Sequence, residues 1–134
     1  MTRFKMKRIL SLLIICVLIG CTSENRYHID ETTNPTDTLF YLKYDMSLLY
    51  GIVYNELGDV GLFKNGQRNG LHREWYENNQ LRHEFNFNNG KEDGLGREWY
   101  ENGGLNYEGY FNDGILYLLK KWYKNGQLHY EVNR

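Results

Sequence analysis

"GLGREWYENGGL", residues 94–105, restates "GLHREWYENNQL", residues 70–81, with nine of twelve positions identical and an offset of 24 residues. The offset extends well beyond the phrase. Phe63, Phe87 and Phe111 are 24 apart, and so are Gly66, Gly90 and Gly114. Leu57, Leu81 and Leu105 keep the period and Leu128 follows at 23, while Trp75, Trp99 and Trp122 follow at 24 and then 23. Glycines and aromatics held in phase at such a period mark a repeat architecture, in which each unit buries its neighbour. Three clear units start near residues 70, 94 and 117, and a shorter one occupies residues 51–69.

Within a unit the period is two. Leu71, Trp75, Leu81, Phe85 and Phe87 would share one side of unit 70–93, and Leu95, Trp99, Leu105, Tyr107 and Phe111 one side of the next. Glu74, Arg82 and Glu84, then Glu98, Asn106 and Glu108, would fall on the other. Such alternation predicts half-buried strands. Asn-Gly or Asp-Gly stands between the segments at 65–66, 89–90, 102–103, 113–114 and 125–126, the strongest short-range signal for a hairpin. The expected fold is therefore all-β, a meander of successive antiparallel hairpins.

The turns also predict a register. A three-residue loop over Glu101, Asn102 and Gly103, with Gly103 left-handed, sets Trp99 opposite Leu105, Arg97 opposite Tyr107 and Glu98 opposite Asn106. The same loop one unit earlier makes Asn79 left-handed. It sets Trp75 opposite Leu81, Glu74 opposite Arg82 and His72 opposite Glu84. Gly114 to Trp122 is eight residues where the equivalent spacings are nine. A two-residue type I′ loop at Asp113-Gly114, in place of a three-residue one, keeps Trp122 on the apolar side facing Leu105.

The N-terminus has a different character. Arg3, Lys5, Lys7 and Arg8 precede the apolar run "ILSLLIICVLI", residues 9–19, and then Gly20 and Cys21. Eleven apolar residues fall short of the roughly 20 that span a bilayer core as helix. Residues 1–20 are therefore expected to be a secretory signal, a retained short anchor being the alternative. "LIGC", residues 18–21, resembles the lipobox of bacterial lipoproteins. The resemblance implies that Cys21 is acylated, becomes the mature N-terminus and holds the chain to a membrane. With Thr22 after it, and not aspartate, it implies the outer membrane where the cell has one. Without residues 1–20 the chain carries 12 Lys and Arg against 17 Asp and Glu. That acidic balance argues against nucleic acid as a partner. Cys21 is then the only cysteine, so no disulfide forms within the chain. Residues 21–38, polar and with the single Pro35, are expected to be a lipid-anchored flexible tether, and residues 39–134 the repeat domain.

The repeat itself is similar to a known one. Tyr100, Asn102, Gly103 and Leu105, followed by Phe111 and Gly114, resemble the bacterial variant of the MORN repeat. The pattern recurs as Tyr76, Asn78, Leu81, Phe87, Gly90 and Gly94, and as Tyr123, Asn125, Gly126 and Leu128. "LLYGIV", residues 48–53, resembles the start of such an array, with Gly51 at the repeat glycine. The resemblance implies one elongated, twisted sheet. It supplies no catalytic residues, and many members are labelled antitoxin components of the YwqK type.

The side chains offer little chemistry. The tryptophans read as packing, with an aromatic ladder for sugars as the alternative. Glutamates repeated in every unit read as a solvated face, because a catalytic pair needs unlike environments. His28, His72, His83 and His129 lack metal-ligand spacing, with His72 and His83 projecting to opposite faces. Neither an enzyme nor a cofactor is expected. The expected function is binding of another protein outside the cytoplasm, in the antitoxin or immunity role that the resemblance implies. The contact would be a polar strip of Glu74, Tyr76, Glu98, Tyr100, Glu108, Tyr110 and Tyr123. The alternative is a cell-wall or glycan-binding module.

Overall fold

The computed structural model describes residues 24–34 and 39–133, so the expected signal at 1–20 and the acylation at Cys21 lie outside the described residues. Its strands are β1 (Arg26–His28), β2 (Thr32–Thr33), β3 (Tyr41–Leu42), β4 (Gly51–Asn55), β5 (Gly58–Lys64), β6 (Gln67–Trp75), β7 (Leu81–Asn88), β8 (Lys91–Trp99), β9 (Leu105–Asn112), β10 (Ile115–Trp122) and β11 (Leu128–Asn133). From β4 to β11 each strand pairs antiparallel with the next, and β1 adds to β4 in parallel, giving one nine-stranded sheet. A two-stranded sheet, β2 with β3, stands beside it. The fold is the all-β meander that the alternation and the turns predict.

Two loop types alternate along it. Asn65-Gly66, Asn89-Gly90 and Asp113-Gly114 each have two positive φ angles and lie between paired residues, Lys64 with Gln67, Asn88 with Lys91 and Asn112 with Ile115. These are two-residue type I′ turns, which suit the strand twist. From β6 onward the other ends carry three-residue loops, while β4 and β5 join through the two residues Glu56 and Leu57. Tyr76 N–H donates to the Gln80 carbonyl, Tyr100 N–H to that of Gly104 and Tyr123 N–H to that of Gln127, at 2.8–2.9 Å. Asn79, Gly103 and Gly126 are left-handed there, as expected of the first two.

The register corrects the sequence-based expectation. Trp75 pairs with Leu81 and Trp99 with Leu105 as predicted, but the next pairs are Glu74 with His83 and Glu98 with Tyr107. One residue, Arg82 or Asn106, is skipped as a bulge, and β11 skips His129 in the same way. Because the side-chain period is two, one extra residue exchanges the faces of everything beyond it. His72 consequently stands opposite Phe85, not Glu84, and Arg97 opposite Glu108, not Tyr107. The apolar residues do not share one side. Phe85 and Phe87 lie in the rows of His72 and Gly70, while Leu71 lies opposite Asn86. The type I′ loop at 113–114 forms as expected, yet its equivalents are also two residues long. The residue missing before Trp122 comes out of a bulge instead. Pairing slips by two residues between Phe85 and Phe87 and by one between Leu116 and Leu118. That slip sets Lys121 opposite Tyr107 and replaces the expected facing of Trp122 and Leu105.

A buried core closes the N-terminal end. Leu42, Leu49, Val53 and Phe63 are buried together, with Tyr27, Phe40 and Val60 packed on them. Residues 40–49 are hydrogen-bonded over the first type I′ turn: Phe40 N–H donates to Gly66, Gly66 N–H to Leu49 and Leu49 N–H to Phe40. Part of the segment expected as a tether is also built in. Arg26–His28 form β1, and Ile29–Glu31 a 3-10 turn capped by His28. The Asn25 carbonyl accepts from Ile52 N–H over Gly51, where a Cβ would meet it at 2.3 Å. The polar sequence hides this because parallel pairing here uses main-chain groups. Arg26 contributes an ion pair with Asp59.

Candidate functional site

The strip of residues expected to meet a partner does not lie on one face. Tyr76 and Tyr100 sit at the start of the three-residue loops and reach into the following unit. Tyr76 Oη donates to the Trp99 carbonyl at 2.8 Å and Tyr100 Oη to the Trp122 carbonyl at 2.7 Å. Arg82 lies over the Tyr76 ring and Lys124 over that of Tyr100. Inside the same loops, Asn78, Asn102 and Asn125 accept from the amides of Gln80, Gly104 and Gln127 at 3.0–3.1 Å. The recurring tyrosine therefore joins units and the asparagine shapes the loop. Tyr123, which no tryptophan follows, is exposed with its ring 4.2 Å from that of His129. Tyr110 is exposed opposite Leu95.

The glutamates divide into two ladders because of the bulges. Glu84, Glu108 and Glu131 pair with Arg73, Arg97 and Lys120 at 2.7, 2.9 and 3.5 Å on one face. Glu74 and Glu98 lie on the other, in the rows of His83 and Tyr107. Glu74 accepts from His83 at 2.9 Å, and that hydrogen bond holds its carboxyl below the usual range. Of the expected strip, Glu108 is thus separated from Glu74 and Glu98 by the thickness of the sheet.

The Glu74 face carries a row of rings over glycines. The His72 ring lies on Gly61, Phe85 on Gly96 and Tyr107 on Gly109, where a Cβ would come within 2.3–2.4 Å of each aromatic side chain. Phe40, Phe63, His72 and Phe87 contact in series, with ring centroids 4.6–5.3 Å apart, a spacing at which edge-on aromatics attract. Beside them opens a cavity of about 490 Å³ whose lining includes Phe63, Phe85, Phe87, Arg68, Glu74 and Glu92. His72 and His83, expected on opposite faces, both line it, because the Arg82 bulge lies between them in the register.

Burial sets the charges of this wall. His72 is 5% exposed, and Nε2 donates to the Leu62 carbonyl at 2.8 Å, leaving Nδ1 buried without a hydrogen-bond partner among the described residues. Burial, aided by the charge of Arg68, lowers its pKa to about 4, so the ring is neutral at pH 7. Burial raises the Glu92 carboxyl above its usual range against the pull of Arg68. It pushes the Tyr107 hydroxyl up to about 12, helped by Glu92 and Glu98. The sequence alternation gave no sign of this cavity, since it depends on the bulges. Among the described residues no cluster of three or more His, Cys, Asp or Glu is placed to hold a metal ion. No helix among them is long and apolar enough to cross a membrane.

Comparison with known proteins agrees with the repeat boundaries. Neither the curated proteins nor the solved structures contain a match to the chain. A family model described as MORN repeat variant matches residues 68–89, 92–113 and 118–134. These segments fall on the hairpins β6–β7, β8–β9 and β10–β11. Three segments of the chain thus match the MORN repeat variant.

Proposed function

We propose that this chain is a non-enzymatic repeat protein, held to the cell envelope through lipid on Cys21, that binds another protein outside the cytoplasm. MORN repeats are often protein- or membrane-binding modules. The observation that carries the reading is the contrast between the two ends of the sheet. Residues 40–49 cover the N-terminal end, whereas Ile115, Leu128, Tyr130 and Val132 are exposed at the C-terminal end, Ile115 to 58% and Leu128 to 51%. The bulge at His129 sets Leu128 on one face of this edge strand and Tyr130 with Val132 on the other. Apolar groups left uncovered at a sheet edge offer an interaction site, and a tyrosine among them gives contact area at low entropic cost. An antitoxin or immunity role is the specific form that the resemblance to YwqK-type proteins gives this reading.

The test is protection. The gene is co-expressed with a toxin-like neighbour, and growth is compared for the natural chain and for Leu128→Ser with Val132→Thr. Protection lost in the double variant while its melting temperature is kept supports the reading. Unchanged protection would remove the C-terminal end from it. For the anchor, Cys21→Ser should move the protein from the membrane fraction to the soluble one. Equal membrane retention would overturn acylation at that residue.

A further inference from the structure

The repeats agree with one another where they build the sheet and disagree at the cavity. Trp75, Tyr76 and Asn78 recur as Trp99, Tyr100 and Asn102. In contrast, Arg68 has Glu92 as its counterpart 24 residues on, His72 has Gly96, His83 has Tyr107 and Phe85 has Gly109. The chemistry of the cavity is therefore not a by-product of repetition.

Two of its charges lack a direct ion pair among the described residues, although Arg68 acts through space on Glu74 and Glu92. The Arg68 guanidinium lies over two rings, 5.3 Å from the centroid of Phe40 and 5.2 Å from that of Phe87. Its N–H groups remain to donate, and among the described residues it has no ion pair or side-chain hydrogen bond. The half-buried Glu92 carboxylate lies in the field of Arg68 but is likewise unpaired among the described residues. Elsewhere the chain pairs its partly buried arginines, Arg73 with Glu84 and Arg97 with Glu108. A cation and an anion kept apart and partly desolvated in one cavity are costly unless something completes both. A volume of about 490 Å³ with aromatic walls and a few convergent polar groups is the form of a small-molecule site.

We propose that this cavity binds a small zwitterion with an apolar body, an α-amino acid or a short peptide. The ligand carboxylate would take the Arg68 guanidinium edge, its ammonium Glu92, and its side chain the wall of Phe63, Phe85 and Phe87. A guanidinium meets a carboxylate through two parallel hydrogen bonds, which gives this end its specificity. The site is distinct from the C-terminal surface proposed to meet a protein, and either can fail without the other.

The test is calorimetric titration of the full chain with L-phenylalanine, with L-phenylalanyl-L-leucine, and with the singly charged 3-phenylpropionate and 2-phenylethylamine. One zwitterion or both should bind saturably, with a Kd below about 1 mM. Each singly charged compound should bind about tenfold more weakly or worse. Tighter binding of the amino acid identifies a free amino acid as the ligand, and tighter binding of the dipeptide a peptide. Glu92→Gln, which keeps the shape of the side chain, and Arg68→Lys, which keeps the charge but loses the fork, should each weaken binding about tenfold with an unchanged melting temperature. No saturable heat from either zwitterion up to about 10 mM would overturn the proposal. So would equal binding of the singly charged compounds, or undiminished binding in Glu92→Gln.

Discussion

The hydroxyl of Tyr100 donates to the Trp122 carbonyl, which adds a side-chain tie to the main-chain pairing between one unit and the next. Tyr100→Phe should lower stability by about 1 kcal/mol in denaturant titration, the usual worth of one such bond. Tyr110→Phe, at an exposed hydroxyl, should cost nothing measurable. Gly96 is a second sensitive point. An added methyl there would sit 2.3 Å from Phe85 Cδ1, so Gly96→Ala should cost about 1–3 kcal/mol as the ring is pushed off its seat. His72 makes stability depend on pH. Its folded pKa of about 4 lies below the ordinary 6.5, so folding favours the neutral ring. The stabilisation is full above pH 6.5 and is lost as pH falls from there towards 4, by an amount on the order of 3 kcal/mol. Denaturation midpoints measured between pH 7 and pH 4 should show the loss. His72→Phe, which cannot titrate, should flatten the curve across that window.

At the scale of the hairpin, local chemistry and register behave differently. Asn79 adopts a left-handed conformation that Gly103 and Gly126 adopt without strain in the equivalent loops. Asn79→Gly should therefore leave stability level or raise it by a few tenths of a kcal/mol, while Gly103→Ala should lower it by about 1–2 kcal/mol, both by thermal melting. Asparagine and glycine specify such loops within three or four residues, which is why the Asn-Gly and Asp-Gly turns were legible in the sequence, whereas the Glu56-Leu57 turn between β4 and β5 was not. The bulges were not. Arg82, Asn106 and His129 carry no backbone signature, and alternation on either side of them is undisturbed. A signal did exist in the charges. The bulged register brings Arg73 to Glu84, Arg97 to Glu108 and Lys120 to Glu131, three opposite-charge pairs at one repeat position. The unbulged register yields that agreement in one unit only, by Glu74 and Arg82. The cavity was hidden for the same reason, because the faces exchange at the bulge and bring His72, His83, Phe85 and Phe87 to one side.

At the scale of the molecule, stability is unevenly distributed. Leu49 is fully buried over the first turn, and Leu49→Ala should cost about 2–5 kcal/mol. All six residues of β11 are exposed, and Val132→Ala should stay within about 0.5 kcal/mol. Amide exchange should follow the same gradient, fastest in β11 and slowest in β4 and β5. Uniform protection along the sheet would show that the units do not open separately, against the nearest-neighbour behaviour of repeat arrays.

The type I′ turns also join the units through the main chain. Gly66 N–H donates to the Leu49 carbonyl, Gly90 to that of Arg68 and Gly114 to that of Glu92, at 2.8–2.9 Å. The acceptor is a backbone oxygen that any residue supplies, so the side chain there takes no part in the joint. Tandem copying of a 24-residue segment can therefore lengthen the gene without new contacts having to be invented. Each copy arrives with a position at which drift is harmless to folding. Arginine and glutamate, 24 residues apart at the two acceptors within the repeats, are what such freedom leaves behind, whereas Leu49 is fixed by its burial; a lineage could try new ligands at the repeat acceptors one codon at a time.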